Sequence, residues 1–227
     1  MNRNVLAIDV GGSNVKILAS GEKKRRKFPS GDQLTAAVMV KEVKQLASGW
    51  NYDAVSIGYP GPVRHDKIVA EPHNLGTGWV ACDFAAAFDC PVRLINDAAM
   101  QALGGYRDGR MLFLGFGTGL GSTLIVDGTV VAMELGHLPY RKKTYEDYVG
   151  VSAFTELSVA TWSENVHDVI ECFRAAFVPD DILIGGGKAK RLASLPEGCR
   201  LGKNADAFTG GFRLWEDRYM PSASAGL

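Results

Sequence analysis

One short pattern in this chain occurs twice. Leu6-Ala7-Ile8-Asp9-Val10-Gly11-Gly12-Ser13 and Leu112-Phe113-Leu114-Gly115-Phe116-Gly117-Thr118-Gly119 each run from an apolar strand into a glycine-rich turn, at a constant offset of 106 residues. Each turn leads into a return strand, Val15–Ala19 in the first copy and Ser122–Val126 in the second. A further turn follows in each (Ser20-Gly21-Glu22-Lys23, then Asp127-Gly128), and a third strand ends near Phe28-Pro29 or at Met133. Asp-Gly between alternating apolar residues is a strong two-residue hairpin signal. A duplicated strand–turn–strand unit predicts two lobes whose glycine turns face each other across a cleft.

The rest of the pattern alternates helices with strands, which predicts an α/β fold of two duplicated mixed-sheet domains. Thr35–Ala47 is helix-like, Ala54–Tyr59 is a strand stopped by Pro60-Gly61-Pro62, and Phe84–Phe88 is a short helix. Val92–Ile95 reads as a buried strand ending at Asn96-Asp97, and a helix follows from Ala98 to Gly104. Two helices are expected over Val151–Ser163 and Val166–Phe177, then a strand, Asp181–Ile184, entering Gly185-Gly186-Gly187. Residues 204–219 are expected to be helical and 221–227 to fray. The chain's 227 residues suit two lobes of roughly 100 residues each. The expected division is 1–98 and 99–227, with the C-terminal helix joining the first lobe.

Composition narrows the partners. Twenty-five basic residues balance 25 acidic ones, so no net basic field invites nucleic acid or an anionic membrane. The apolar start Val5–Ile8 is too short for a signal-peptide core, and no run approaches the roughly 20 residues that span a bilayer. The four cysteines (Cys82, Cys90, Cys172, Cys199) form no CxxC pair, which predicts free thiols in a reducing cytoplasm.

The glycine turns are neither of the commonest nucleotide loops. Gly115-Phe116-Gly117-Thr118-Gly119 departs from GxGxxG at Leu120 and precedes a strand where a dinucleotide fingerprint needs a helix. No GxxxxGK[ST] loop is present. What remains is a strand–turn–strand whose glycines leave backbone N–H groups open to an anion. One such turn alone reads equally well as a plain hairpin; two in register favour phosphate gripping.

Several motifs then follow in order. Asp9-Val10-Gly11-Gly12-Ser13-Asn14-Val15-Lys16 precedes Tyr59-Pro60-Gly61-Pro62-Val63, Asn74-Leu75 with Trp79, and Asn96-Asp97-Ala98. Gly115–Gly121, Glu134-Leu135-Gly136-His137 and Ile184-Gly185-Gly186-Gly187 complete the series. This series resembles the ROK sugar kinases of the actin/hexokinase/Hsp70 ATPase superfamily, and implies their two-lobed, ribonuclease-H-like fold. Within that family the short chain is similar to the bacterial polyphosphate glucokinases, which also follow Glu-x-Gly-His with a tyrosine-containing helix start, here Tyr145-Glu146-Asp147-Tyr148. Many ROK kinases carry a zinc-binding CxCGxxGC segment at that point. Here Arg141-Lys142-Lys143-Thr144 stands instead, so no zinc is expected and His137 is not expected to ligate a metal.

The resemblance implies phosphoryl transfer from ATP or polyphosphate to glucose or another hexose such as mannose or N-acetylglucosamine. A sugar hydroxyl is a poor nucleophile, so a carboxylate that accepts its proton is needed. Asp97, at the end of a buried strand, fits that base, or else it caps the helix beginning at Ala98; the family match favours the base. Asn96, Glu134, His137 and Glu146 would hold sugar hydroxyls, with Asn74 a further contact. The alternatives are a surface ion pair for Glu134, a buried structural histidine for His137 and a turn asparagine for Asn74. Gly11, Gly12, Ser13, Asn14 and Lys16 would grip phosphate on one side and Gly117, Thr118 and Gly119 on the other. Lys16 is otherwise a solvated charge. Gly185, Gly186 and Gly187 would approach a nucleotide or the far end of another donor, and Asp9 would hold Mg²⁺ through water.

Two basic segments bear on the donor. Lys23-Lys24-Arg25-Arg26-Lys27 lies at the opposite end of a hairpin strand from Gly11–Asn14, roughly 16 Å away, which favours a solubilising role except for Lys27. Arg141-Lys142-Lys143 is the better candidate for a long phosphate chain. The resemblance also implies a homodimer. Some ROK relatives are repressors, but those carry a helix-turn-helix ahead of Asp-x-Gly-Gly, and eight residues precede Asp9 here. That reading, and a catalytically silent binding module, are expected to fail beside Asp97 and both glycine turns.

Overall fold

A computed structural model describes residues 3–203, 205–216 and 219. The chain divides into two compact units. One runs up to Gly104 and resumes at Ala205; the other is Gly105–Asn204. The division falls at the last residue of the helix that starts at Asp97, where the expected break is at 98; Met100 of that helix lies against Gly58 of the first sheet.

In the first unit the strands β1 (Val5–Val10), β2 (Asn14–Ala19), β3 (Arg26–Pro29), β4 (Ala54–Tyr59) and β7 (Val92–Asn96) form one sheet in the order β3-β2-β1-β4-β7. The meander β1–β2–β3 is antiparallel, and β4 and β7 add parallel to β1. β4 is buried along its whole length, as expected of a central parallel strand covered on both faces. A small hairpin, β5 (Val63–Arg64) with β6 (Lys67–Ile68), follows the Pro60-Gly61-Pro62 stop. Helix α1 (Ala36–Leu46) is capped by Thr35, whose Oγ1 accepts from Val38 N at 3.3 Å, and α2 (Phe84–Phe88) by Asp83, which accepts from Ala86 N at 3.0 Å. Such caps are each worth about 1 kcal/mol.

Helix α3 (Asp97–Gly105) meets the last described helix, α7 (Asp206–Arg213), through glycine. A Cβ on Gly210 would lie 1.7 Å from Met100 O, and one on Gly104 1.8 Å from Asp206 O, so neither position admits a side chain. Gly211 lies as closely on the sheet: its Cβ would meet that of Ala7 at 2.7 Å. Ser56 Oγ donates to Gly211 O at 2.6 Å and accepts from Trp215 Nε1 at 2.9 Å. The C-terminal helix thus belongs to the first unit. Its bounds, Asp206–Arg213, fall inside the expected 204–219; residues 204, 217, 218, 220 and 221–227 lie outside the described residues.

The second unit repeats the sheet. β8 (Arg110–Phe116), β9 (Leu120–Val126), β10 (Thr129–Met133), β13 (Asp181–Gly185) and β14 (Cys199–Leu201) run in the order β10-β9-β8-β13-β14, with β13 parallel to β8 and β14. Asp127 and Gly128 both have positive φ (48° and 84°), the conformation of a tight hairpin turn. The two-residue strands β11 (Pro139–Tyr140) and β12 (Lys143–Thr144) pair ahead of α4 (Tyr145–Val149) and α5 (Val151–Glu156).

The two helices expected over 151–177 divide differently. Ser158 caps α6 (Val159–Phe177), accepting from Thr161 N at 3.1 Å, and α6 runs unbroken through the expected break near Ser163. Ser163 Oγ bonds back to Val159 O at 2.7 Å, which satisfies it inside the helix. Trp162, Val166, Val169, Ile170 and Phe173 form the continuous buried stripe that overrides the polar Ser163-Glu164-Asn165. All four cysteines are free thiols, and among the described residues no helix is long and apolar enough to cross a membrane.

Candidate functional site

In the first unit the chemistry gathers where the parallel strands end. Asp9 on β1 is in register with Gly58 on β4, and Tyr59 on β4 with Asn96 on β7, so Asp9, Asn96 and Asp97 share one edge of the sheet. Ligands bind at this edge in open α/β sheets because the loops there diverge. The turn from Gly11 to Asn14 closes with Gly11 N donating to Asn14 O at 3.1 Å. Ser30 braces it, its Oγ donating to Gly11 O at 2.6 Å and its N to Ser13 O at 3.2 Å. Gly12 and Ser13 are left exposed at the tip.

Lys16 is not a solvated charge. It lies opposite Asp9 across the β1–β2 pair and its Nζ donates to Asp9 Oδ2 at 2.8 Å. A cation and an anion thus stand together beside the glycine turn. Lys27 lies opposite Lys16 on β3, on the returning strand. Arg26 turns away: its guanidinium lies 4.1 Å from the centroid of Trp50 and donates to Leu46 O and Ser48 O at the end of α1.

At the end of β7 the capping role falls to Asn96, not Asp97. Asn96 Oδ1 accepts from Ala99 N at 3.1 Å, and its Nδ2 donates to Gly61 O at 3.2 Å. Asn96 is buried at 8% exposure with both ends of its amide engaged. Asp97 is the first residue of α3, half-buried, with Oδ1 accepting from Ala98 N at 2.8 Å. Gly58 lies under the start of α3: a Cβ there would sit 2.4 Å from Met100 Cε and in ordinary contact, 3.4 Å, with Asp97 Cα. Asn74 is exposed in the loop before Trp79. Glu71, which the sequence did not single out, holds that loop by accepting from Trp79 N and Val80 N, both at 3.1 Å.

In the second unit Glu134, His137, Glu146 and the second glycine turn come together. Glu134 precedes a 3-10 turn, Leu135–His137, that brings His137 Nε2 to 3.8 Å from Glu146 Oε1. Glu146 lies against the glycine turn itself, since a Cβ on Gly119 would be only 2.3 Å from Glu146 Oε2. Gly136 and Gly150 close the cluster, their Cβ positions falling 2.9 Å from Leu120 O and 2.8 Å from Thr118 O. The turn is further tied by Gly117 N donating to Gly119 O and Val151 N to Thr118 O, both at 3.1 Å. Incomplete solvation raises the Glu134 carboxyl above its ordinary pKa; His137 opposes this and Glu146 adds to it.

The triple glycine reaches the same turn from β13. Gly186 has φ +84°, and a Cβ there would lie 2.2 Å from Phe116 O, so only glycine fits. Arg141, expected as a phosphate contact, is committed elsewhere. It sits at φ 50° between β11 and β12, donates to Asn165 Oδ1 and Asp168 Oδ2 at 3.0 Å each, and lies over the rings of Tyr140 and Tyr148. Tyr140 also donates to Asp168. This aromatic and ionic packing fixes the segment that leads into Glu146. Among the described residues no three His, Cys, Asp or Glu side chains are grouped to hold a metal ion.

Each unit therefore carries a glycine turn at the same edge of an equivalent sheet, with polar groups beside it. The ROK family model matches residues 5–150, from β1 past α4. The chain belongs to the ROK family. A polyphosphate glucokinase of Mycobacterium tuberculosis is 26% identical over 211 residues, covering 83% of this chain and 79% of that one. Among solved structures, an inorganic polyphosphate/ATP-glucomannokinase from Arthrobacter sp. strain KM is similar at TM-score 0.78 and 22% identity, covering 93% of this chain and 97% of that one. A ROK family glucokinase from Streptomyces griseus, solved with glucose and AMPPNP, is similar at TM-score 0.74 and 16% identity, covering 93% and 97% of the two chains. These likenesses give this ROK protein the two-sheet, actin-like fold that the family resemblance implied.

Proposed function

We propose that this ROK protein is a sugar kinase that transfers a phosphoryl group from polyphosphate or ATP to the 6-hydroxyl of glucose. The observation that carries the reading is the contact of Glu146 with Gly119. It sets a group suited to a sugar hydroxyl directly against a turn suited to phosphate. Similarity to a polyphosphate glucokinase over most of both chains supports the same reaction.

In this reading Glu134, His137 and Glu146 bind and orient the sugar, offering acceptors and a ring nitrogen to its hydroxyls. Asn96 contributes the remaining hydrogen of its amide while holding the start of α3 in place. Asp97 takes the proton of the attacking hydroxyl. The sugar oxygen forms its bond to the terminal phosphorus as the bridging P–O bond breaks, and that electron pair stays with the shortened chain or ADP. The two glycine turns hold the donor oxygens through backbone N–H groups.

A divalent cation fits the first turn in a limited way. Lys16 engages Oδ2 of Asp9 and leaves Oδ1 without a hydrogen bond among the described residues. One carboxylate oxygen suits Mg²⁺, which keeps several waters and takes its other ligands from donor phosphates. When bound, the ion would offset charge on the transferring group; Asp9 would hold it through water, while Lys16, paired with Asp9, would face the donor phosphates.

The test is a coupled glucose 6-phosphate assay with Mg²⁺, run with ATP and with long-chain polyphosphate, beside a panel including mannose and N-acetylglucosamine. Turnover of glucose with either donor is the expected result. Turnover of another hexose alone would correct the substrate, and silence across the panel would overturn the kinase reading.

A further inference from the structure

Lys188 follows the triple glycine, and no sequence motif singled it out. Its backbone N donates to Phe116 O at 3.0 Å, so it is tied to the residue that opens the second glycine turn. Its Nζ lies 4.3 Å from the centroid of Phe154 on α5, the helix that begins where Val151 N bonds Thr118 O. The lysine is therefore held at both ends to elements that contact the turn 117–119. An ammonium over an aromatic face still offers three donors, and no carboxylate among the described residues pairs with it. Two and three residues further along the chain, Lys190 and Arg191 lie exposed on a 3-10 turn, likewise without an ion-pair partner among the described residues. Arg141, by contrast, is neutralised by Asp168.

We propose that Lys188, followed by Lys190 and Arg191, forms a cationic extension of the second glycine turn that grips the phosphates behind the one transferred. Its ligand is a linear phosphoanhydride chain, and the spread of three cations matches inorganic polyphosphate better than a nucleotide. A nucleoside triphosphate presents few phosphates and then an uncharged sugar and base, so Lys190 and Arg191 would find nothing to pair with. This inference rests on the kinase reading and names the donor for the same site.

The experiment compares wild type, K188M, K188R and a K190A/R191A variant, with ATP, tripolyphosphate and long-chain polyphosphate as donors, and with donor and glucose varied separately. Loss of one charge-assisted contact is expected to raise the KM for long-chain polyphosphate roughly tenfold in K188M, with the KM for glucose unchanged and K188R largely restored. K190A/R191A is expected to weaken long chains severalfold and leave ATP and tripolyphosphate as they were. An unchanged polyphosphate KM in K188M, or equal loss with every donor in K190A/R191A, overturns the proposal. A wild type without activity on any donor would instead defeat the kinase reading, so the two failures are separable. Thermal melts of each variant separate misfolding from lost contact, and F154L provides a second variant that frees the ammonium while keeping its charge.

Discussion

Gly117 and Gly119 differ in one respect that an alanine can expose. A Cβ on Gly117 meets nothing within 4 Å, whereas a Cβ on Gly119 would lie 2.3 Å from Glu146 Oε2. Neither has φ in the left-handed region, and alanine keeps the backbone N–H that a phosphate would use. In G119A the carboxylate oxygen must retreat by about 1 Å to reach ordinary contact. Glu146 is long enough to yield, so the fold survives and the cost falls on whatever the carboxylate binds. A hydrogen bond to a charged group is worth about 1.5–3 kcal/mol, so the KM for sugar should rise roughly 10- to 100-fold. G117A should leave it within about twofold. The assay is steady-state kinetics with sugar and donor varied separately. In an E146A background G119A should add nothing further to the sugar KM, because its target is gone. A large additional loss there, or an unchanged sugar KM in G119A alone, would refute the reasoning.

Two further predictions concern stability. The Glu134 carboxyl has a pKa raised above 4.5 in the folded protein, so its ionisation opposes folding: the penalty is absent below 4.5 and complete above the raised value. E134Q should therefore melt higher than wild type at pH 7, lose that advantage as the pH falls through the raised value to 4.5, and bind sugar more weakly; pH-dependent melting curves check this. G210A drives a Cβ to within 1.7 Å of a backbone oxygen that cannot rotate away, so α3 and α7 must separate. It should cost about 3 kcal/mol in urea unfolding, at the upper end of overpacking.

The duplication was legible because it rests on period-two strands and glycine turns, which announce themselves locally. Both meanders, the Asp127-Gly128 turn and the parallel strands β4, β7 and β13 follow the sequence pattern. The small hairpins β5–β6 and β11–β12 escaped it, since two-residue strands have no period to detect. The break placed near Ser163 failed because local polarity cannot reveal that the hydroxyl is satisfied by Val159 O. Gly104 and Gly210 lie 106 positions apart, and only the packed helices show why neither tolerates a side chain. In the candidate site, residue types were readable and commitments were not. Asn96 takes the cap that Asp97 was a candidate for, and Asp168 claims Arg141 from 27 positions away. Lys188 carried a signal, a lysine directly after three glycines, but its meaning depends on the contact with Phe116.

The proposed reaction turns on Asp97 as the group that accepts the sugar's proton. The direct measurement is D97N, with turnover followed by the coupled assay and sugar binding by calorimetry on the same preparation. Asparagine keeps the shape and the ability to accept from Ala98 N but cannot take a proton at neutral pH. A base role for Asp97 predicts a fall in kcat of roughly 100-fold or more, with sugar affinity within a few-fold of wild type. Near-normal turnover in D97N would contradict it.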